Sequence, residues 1–151
     1  MIVVRVYGIL INELNQILVS DELIHTAKIT KFCGGGLEQG EGTIDCLKRE
    51  FLEEMNLKIE VLEHFYTTDF YQVSAFSNEH QIISIYYTVK ALEELKVSIK
   101  KTPFEFDESQ QKTILENNYA QSFRLIDYEY FNENCMTLQI DKVVAKMIME
   151  K

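Results

Sequence analysis

The stretch GGGLEQGEGTIDCLKREFLEEMNL, Gly34 to Leu57, decides how this chain is read. Three glycines precede a run in which Ile44, Leu47, Phe51 and Met55 recur at helical spacing, and this predicts a helix over Thr43 to Met55. Glu50, Glu53 and Glu54 occupy an arc of roughly 100° beside that apolar stripe. An acidic helix face is ordinarily just solvated, but three carboxylates so placed repel one another unless something positive sits among them. Arg49, four residues before Glu53, offsets part of the repulsion as a helical pair. One arginine does not neutralise three glutamates. Oxygen-only ligands suit a hard cation such as magnesium or manganese, which keeps some waters and accepts phosphate oxygens in its remaining positions. The glycines let the backbone approach a phosphate closely or bend sharply. Neither the GK[ST] ending of a P-loop nor the alternating aspartates of a calcium loop is present.

The whole spacing resembles the box of the Nudix hydrolase (MutT-like) family. Gly35, Glu41, Arg49, Glu50, Phe51, Glu53, Glu54 and Leu57 fall on its specified positions, within a box spanning residues 35–57. Asn56 alone departs, standing where the family has glycine, and Asn is the next most tolerant residue for a left-handed helix cap. The resemblance implies an α/β fold, an α/β/α sandwich with a mixed β-sheet between helices. It also implies hydrolysis of a nucleoside diphosphate linked to another moiety, a small-molecule substrate, with Mg2+ or Mn2+. Glu50 and Glu54 would then be the principal metal ligands. Glu53 would be a further ligand or would orient the attacking water, Arg49 would hold the glutamates, and Gly35 and Gly36 would lie beside the phosphates. The general base is left between Glu53 and the loop residues Glu105, Asp107 and Glu108. Glu41 is either a brace for the helix start or a metal contact. The competing expectation is a Nudix-like domain that binds a nucleotide derivative as a sensor or regulator without turning it over. The proline or tyrosine that marks two of the family's substrate classes beyond the box is matched by neither Gln72, Val73 nor Ser74, so the nucleotide derivative stays open.

Composition is consistent with this reading. At 151 residues and 46% hydrophobic, the chain suits a single domain over residues 1–151, able to bury roughly two thirds of its unfolded surface. The formal charge of −9 disfavours nucleic acid as a partner, because such binding draws on basic side chains. An anionic small molecule stays compatible with that charge if a divalent cation bridges the two. Three cysteines without CxxC spacing argue against disulfides and zinc fingers, and point to a reducing, cytoplasmic setting. The apolar run at the N-terminus is too short to span a membrane, and no membrane partner is expected. Self-association into a homodimer is left open. Cys33 and Cys46 read as packing residues, His25, His64 and His80 as surface or packing residues, and Lys28 and Lys31 as more solvent-facing than phosphate-binding.

Elsewhere, Ile2 to Ile11 and Gln16 to Ser20 read as two strands of an opening hairpin turning at Asn12 to Asn15. Leu57 to Val73 and Gln81 to Ala91 read as paired strands joined at Ser77 to His80. Leu92 to Asn118 reads as a loop with a short helix, and Phe123 to Ile126 as a last strand. A closing helix from about Leu138 is expected to turn Ile140, Val143, Val144 and Met147 inward, with Thr137 as its cap.

Overall fold

The structure is a computed structural model describing residues 1–151. The chain divides into two compact units, one of residues Met1–Asn12 and Cys33–Lys96, the other of Glu13–Phe32 and Val97–Lys151. No helix is long and apolar enough to cross a membrane.

The first unit is a four-stranded mixed sheet with one helix. Its strands are β1 (Ile2–Leu10), β4 (Cys33–Gly36), β5 (Ile59–Thr67) and β6 (Gln81–Ala91), in the order β4-β1-β6-β5. Strand β1 runs parallel to β6 and antiparallel to β4, while β5 and β6 are antiparallel, as their sequence suggested. Helix α1 (Thr43–Met55) buries Cys46, Leu47, Phe51 and Met55. Gly8 makes room for this packing, since a Cβ there would lie 2.9 Å from the Phe51 ring. Ile44, expected on the buried stripe, is 45% exposed, and Cys46 takes its place.

The second unit is also a mixed four-stranded sheet, made of β2 (Gln16–Ile24), β3 (Ala27–Lys31), β7 (Ile99–Lys100) and β8 (Tyr119–Asp127), in the order β3-β2-β8-β7. It carries α2 (Glu108–Asn117) and α3 (Gln139–Met149). Its core includes Phe32 and Phe131, whose rings are 6.3 Å apart. A buried ion pair joins its strands: Arg124 Nη2 donates to Asp21 Oδ1 at 2.9 Å, and the Thr30 hydroxyl donates to the same oxygen at 2.6 Å.

The α/β class and the mixed pairing match the expected fold, with the hydrogen bonding divided between two sheets. The opening hairpin is not formed. Strands β1 and β2 are consecutive but belong to different sheets, because β1 pairs with β4 and β6 and β2 pairs with β3 and β8. Strand β5 ends at Thr67, well before Val73, which makes only an isolated bridge to Gln81. Helix α3 buries Ile140, Asp141, Val144, Ala145 and Ile148, a stripe rotated from the expected one, since Val143 and Met147 are only half-buried. Its N-cap is Leu138, without a side-chain bond. Thr137 does not cap, because its hydroxyl accepts from the Thr30 N–H at 2.8 Å.

Candidate active site

The glycine run, where the backbone was expected to bend or to approach a phosphate, is strand. Cys33 to Gly36 form β4, in register with β1 as Arg5 with Gly36, Val6 with Gly35, and Tyr7 with Gly34. Gly34, at φ 153°, has no room for a side chain: a Cβ would fall 2.0 Å from the Val6 carbonyl oxygen. At Gly35 the obstruction is the Glu50 carboxyl group, whose Cδ and Oε1 would each lie 2.4 Å from a Cβ. Glu50 therefore rests directly on the bare α-carbon of Gly35.

Arg49 organises the carboxylates. Its Nε donates to Glu41 Oε2 at 3.0 Å and its Nη2 to Glu41 Oε1 at 2.7 Å, a two-pronged pair. Its Nη1 donates to Glu50 Oε1 at 3.0 Å and to Glu53 Oε2 at 3.1 Å, with Glu38 Oε1 at 3.7 Å. Nη2 also donates to the Gly36 carbonyl at 3.1 Å, tying helix α1 to β4. Glu41 thus holds Arg49 in place. Its hydrogen bonds from Arg49 and then from the Glu38 N–H hold its carboxyl down at about 2, and the same pairing with Glu41 raises the Arg49 pKa. Burial, followed by the negative charge of Glu41, pushes the Cys46 thiol up to about 12, so Cys46 is a neutral packing group that donates to the Gly36 carbonyl at 3.5 Å.

Around one guanidinium stand Glu38, Glu41, Glu50 and Glu53, with Glu54 half-buried one turn on from Glu50. Glu53 is mostly solvent-exposed, whereas Glu50 is 15% exposed. No three His, Cys, Asp or Glu side chains are gathered into a ready metal cage. The donor set nevertheless fits magnesium or manganese. All of its donors are oxygens, negative charge exceeds positive, and magnesium is ordinarily held by one or two carboxylates plus substrate phosphates, not by an all-protein cage.

In the second unit, Asp107 caps α2 by accepting from the Gln110 N–H at 2.8 Å, and Glu105 accepts from the Thr102 hydroxyl at 3.0 Å. Glu108 is exposed in the first turn of α2. Lys28 is exposed, with its ammonium 5.7 Å from the centre of the Phe104 ring. Lys31, expected to face solvent, is buried and paired with Glu22 at 3.0 Å. Sequence reasoning missed Glu38, which joins the carboxylates around Arg49.

The chain shares its fold with solved structures. A NUDIX hydrolase from Nitrosomonas europaea aligns with a TM-score of 0.67 at 19% identity, covering 98% of this chain and 70% of that one. A MutT NUDIX hydrolase from Burkholderia pseudomallei aligns with a TM-score of 0.67 at 12% identity, covering 98% of each chain. An ADP-ribose pyrophosphatase from Streptococcus suis aligns with a TM-score of 0.53 at 12% identity, covering 99% of this chain and 92% of that one. No curated protein matches by sequence. The model of the NUDIX domain matches residues 1–124, so the chain belongs to the NUDIX family of hydrolases.

Proposed function

We propose that the protein is a metal-dependent pyrophosphohydrolase, acting as one functional domain on a nucleoside diphosphate linked to another moiety. The observation that carries this reading is the seating of Glu50 on Gly35 by Arg49, beside a strand whose glycines leave its backbone bare. Glu50 and Glu54 would hold Mg2+ or Mn2+, with Glu53 as a further ligand or as the group that orients water. The bound ion would polarise the phosphoryl oxygens and neutralise the charge that develops on them. Arg49 positions the glutamates, and Gly35 and Gly36 line the approach of the diphosphate. Water adds at one phosphorus as the bridging P–O bond breaks, releasing a nucleoside monophosphate and a phosphorylated second product. Solved proteins with this fold include a UDP-X diphosphatase and an ADP-ribose pyrophosphatase, which supports an anhydride between two phosphates as the bond cleaved.

The test is a panel of ADP-ribose, NADH, nucleotide sugars, dinucleoside polyphosphates and nucleoside triphosphates. Each is assayed with magnesium and with excess EDTA, in the wild type and in Glu54→Gln. Turnover of at least one substrate, abolished by EDTA and reduced by Glu54→Gln about 100-fold or more, is expected. Hydrolysis indifferent to both would refute the proposed site, and tight binding without turnover would replace the enzyme by a sensor.

A further inference from the structure

We propose that the second unit carries a binding site for an adenine nucleotide at the open edge of β8, where main-chain atoms of Leu125 and Asp127 read the base. Such a site needs neither a metal nor the glutamates of α1. Residues just beyond the two ends of β8 fix the phase of its hydrogen bonding. The His25 N–H donates to the Asn118 carbonyl at 2.7 Å and the Tyr128 N–H to the Asn15 carbonyl at 2.9 Å, so even-numbered residues turn their main-chain groups toward β2. Odd-numbered residues point the other way, toward β7. Strand β7 ends at Lys100, opposite Arg124, and that pairing occupies the Leu125 N–H. The Asp127 carbonyl is taken up by the 3₁₀ helix Tyr128–Tyr130, whose N-cap is Asp127. The edge is left with one acceptor, the Leu125 carbonyl, and one donor, the Asp127 N–H, two residues apart.

Leu125 and Asp127 border an open cavity of about 450 Å³, together with Ile99, Lys100, Lys101 and Tyr130, and every residue lining it belongs to the second unit. A peptide adding as a strand needs a run of main-chain partners. This edge offers a single pair, closed on one side by β7 and on the other by the 3₁₀ helix. A flat heterocycle with a donor beside an acceptor needs no more than that. Adenine presents its amino group next to ring N1, the complement of a carbonyl and an N–H on one strand edge. Surface for stacking is at hand, since Tyr130 is 67% exposed and Ile99 36%. Of the three cations bordering the cavity, Arg124 is committed to Asp21 and Lys100 lies 3.8 Å from Asp107. Lys101, exposed just past the end of β7, is the one placed to meet a phosphate. The Asp127 carboxylate is drawn toward β2, where its Oδ1 accepts from Gln16 Nε2 at 2.9 Å.

The test is calorimetric titration of the full chain with AMP in excess EDTA, where the wild type is expected to bind in the sub-millimolar range. Asp127→Pro removes the N–H at a φ of −58°, which proline adopts, and at a strand edge, where proline is tolerated. It is expected to bind AMP about tenfold more weakly than Asp127→Ala, which loses the same carboxylate and keeps the donor. N6,N6-dimethyl-AMP, which has no amino donor, is expected to bind the wild type about tenfold more weakly than AMP does. Lys101→Glu is expected to weaken AMP about fivefold and to leave adenosine, which has no phosphate, unchanged. Equal affinity of Asp127→Pro and Asp127→Ala overturns the inference, as does a wild type that does not bind AMP in EDTA. Binding that appears only with magnesium and is lost in Glu54→Gln puts AMP at the metal site and overturns it as well. If Asp127→Pro melts far below Asp127→Ala, the dimethylated nucleotide decides: a loss of about tenfold supports the inference, and unchanged affinity overturns it.

Discussion

Gly35→Ala is a one-methyl test of the site. The added Cβ would lie 2.4 Å from Glu50 Cδ and Oε1 and 2.6 Å from Oε2. Ordinary contact begins near 3.4 Å, so the carboxyl group must retreat by about 1 Å. It is not free to do so cheaply, because Arg49 Nη1 holds Oε1 at 3.0 Å, and Arg49 is itself fixed by Glu41. Retreat stretches that bond to about 4 Å, beyond hydrogen-bonding range. Loss of one charge-assisted bond between partly exposed groups costs about 1–2 kcal/mol, which lowers Tm by roughly 2–8 °C. The catalytic cost is larger, since displacing a functional group by about 1 Å reduces rate on the order of 100-fold. The loss should fall on kcat, because the added methyl displaces a carboxylate and leaves the neighbouring Gly36 as it was. The assay is kcat and KM at saturating magnesium, with thermal melting on the same preparations. Gly42→Ser is the control, since nothing lies within 4 Å of its Cβ and a serine there supplies the absent N-cap of α1. A Gly35→Ala enzyme within threefold of wild-type kcat would refute the claim that Gly35 seats Glu50.

Three further outcomes follow from the same geometry. The Glu41 carboxyl is held at about 2, below its ordinary 4.5, so its stabilisation is fully present above pH 4.5 and is lost as pH falls toward 2. Urea midpoints measured through that window should decline more steeply in the wild type than in Glu41→Gln. In the second unit, Arg124→Met strands the fully buried Asp21 carboxylate and should cost about 3–5 kcal/mol by chemical denaturation. At the end of α1, Asn56 sits at φ 50°, and Asn56→Val should cost about 1–2 kcal/mol, whereas Asn56→Gly should be tolerated without loss of activity.

Helix α1 was legible because its charged residues have fixed spacing and its cap signal is local: Asn56 ends it in the left-handed conformation, with its N–H on the Leu52 carbonyl and the following Leu57 N–H on that of Phe51. Strand pairing was not legible in the same way. Asn12 to Asn15 carries good turn residues, and Asn15 does adopt a positive φ of 58°, yet the flanking strands separate into different sheets. The contrary signal was continuity. Val6 to Leu10 and Ile17 to Glu22 are buried without alternation, as strands covered on both faces are, and such strands find partners on both sides. Lys31 was misjudged because a charged residue is expected at the surface. Its burial depends on Glu22, on the neighbouring strand, which no local pattern reveals. The two-residue β7 is too short to leave any periodic trace.

The glycine run changes meaning most between sequence and structure. Read alone, three glycines promise flexibility, and a flexible phosphate loop would lose entropy when it closes on a ligand. In the fold their lack of side chains serves close approach. Gly34 admits the Val6 carbonyl, Gly35 admits the Glu50 carboxylate, and Gly36 opens toward Arg5, while β4 is held by its pairing with β1. A site built on a strand in register is positioned before ligand arrives, so the cost of ordering is met in folding and not in binding. The consequence separates the three positions. Gly34→Ala should fail in stability first, because backbone and not a side chain obstructs it. Gly35→Ala should fail in kcat. Gly36→Ala, whose Cβ would touch only the Arg5 guanidinium at 3.9 Å, should act on KM. If all three instead lose stability alike with unchanged kinetics per folded molecule, the run is a packing device and nothing more.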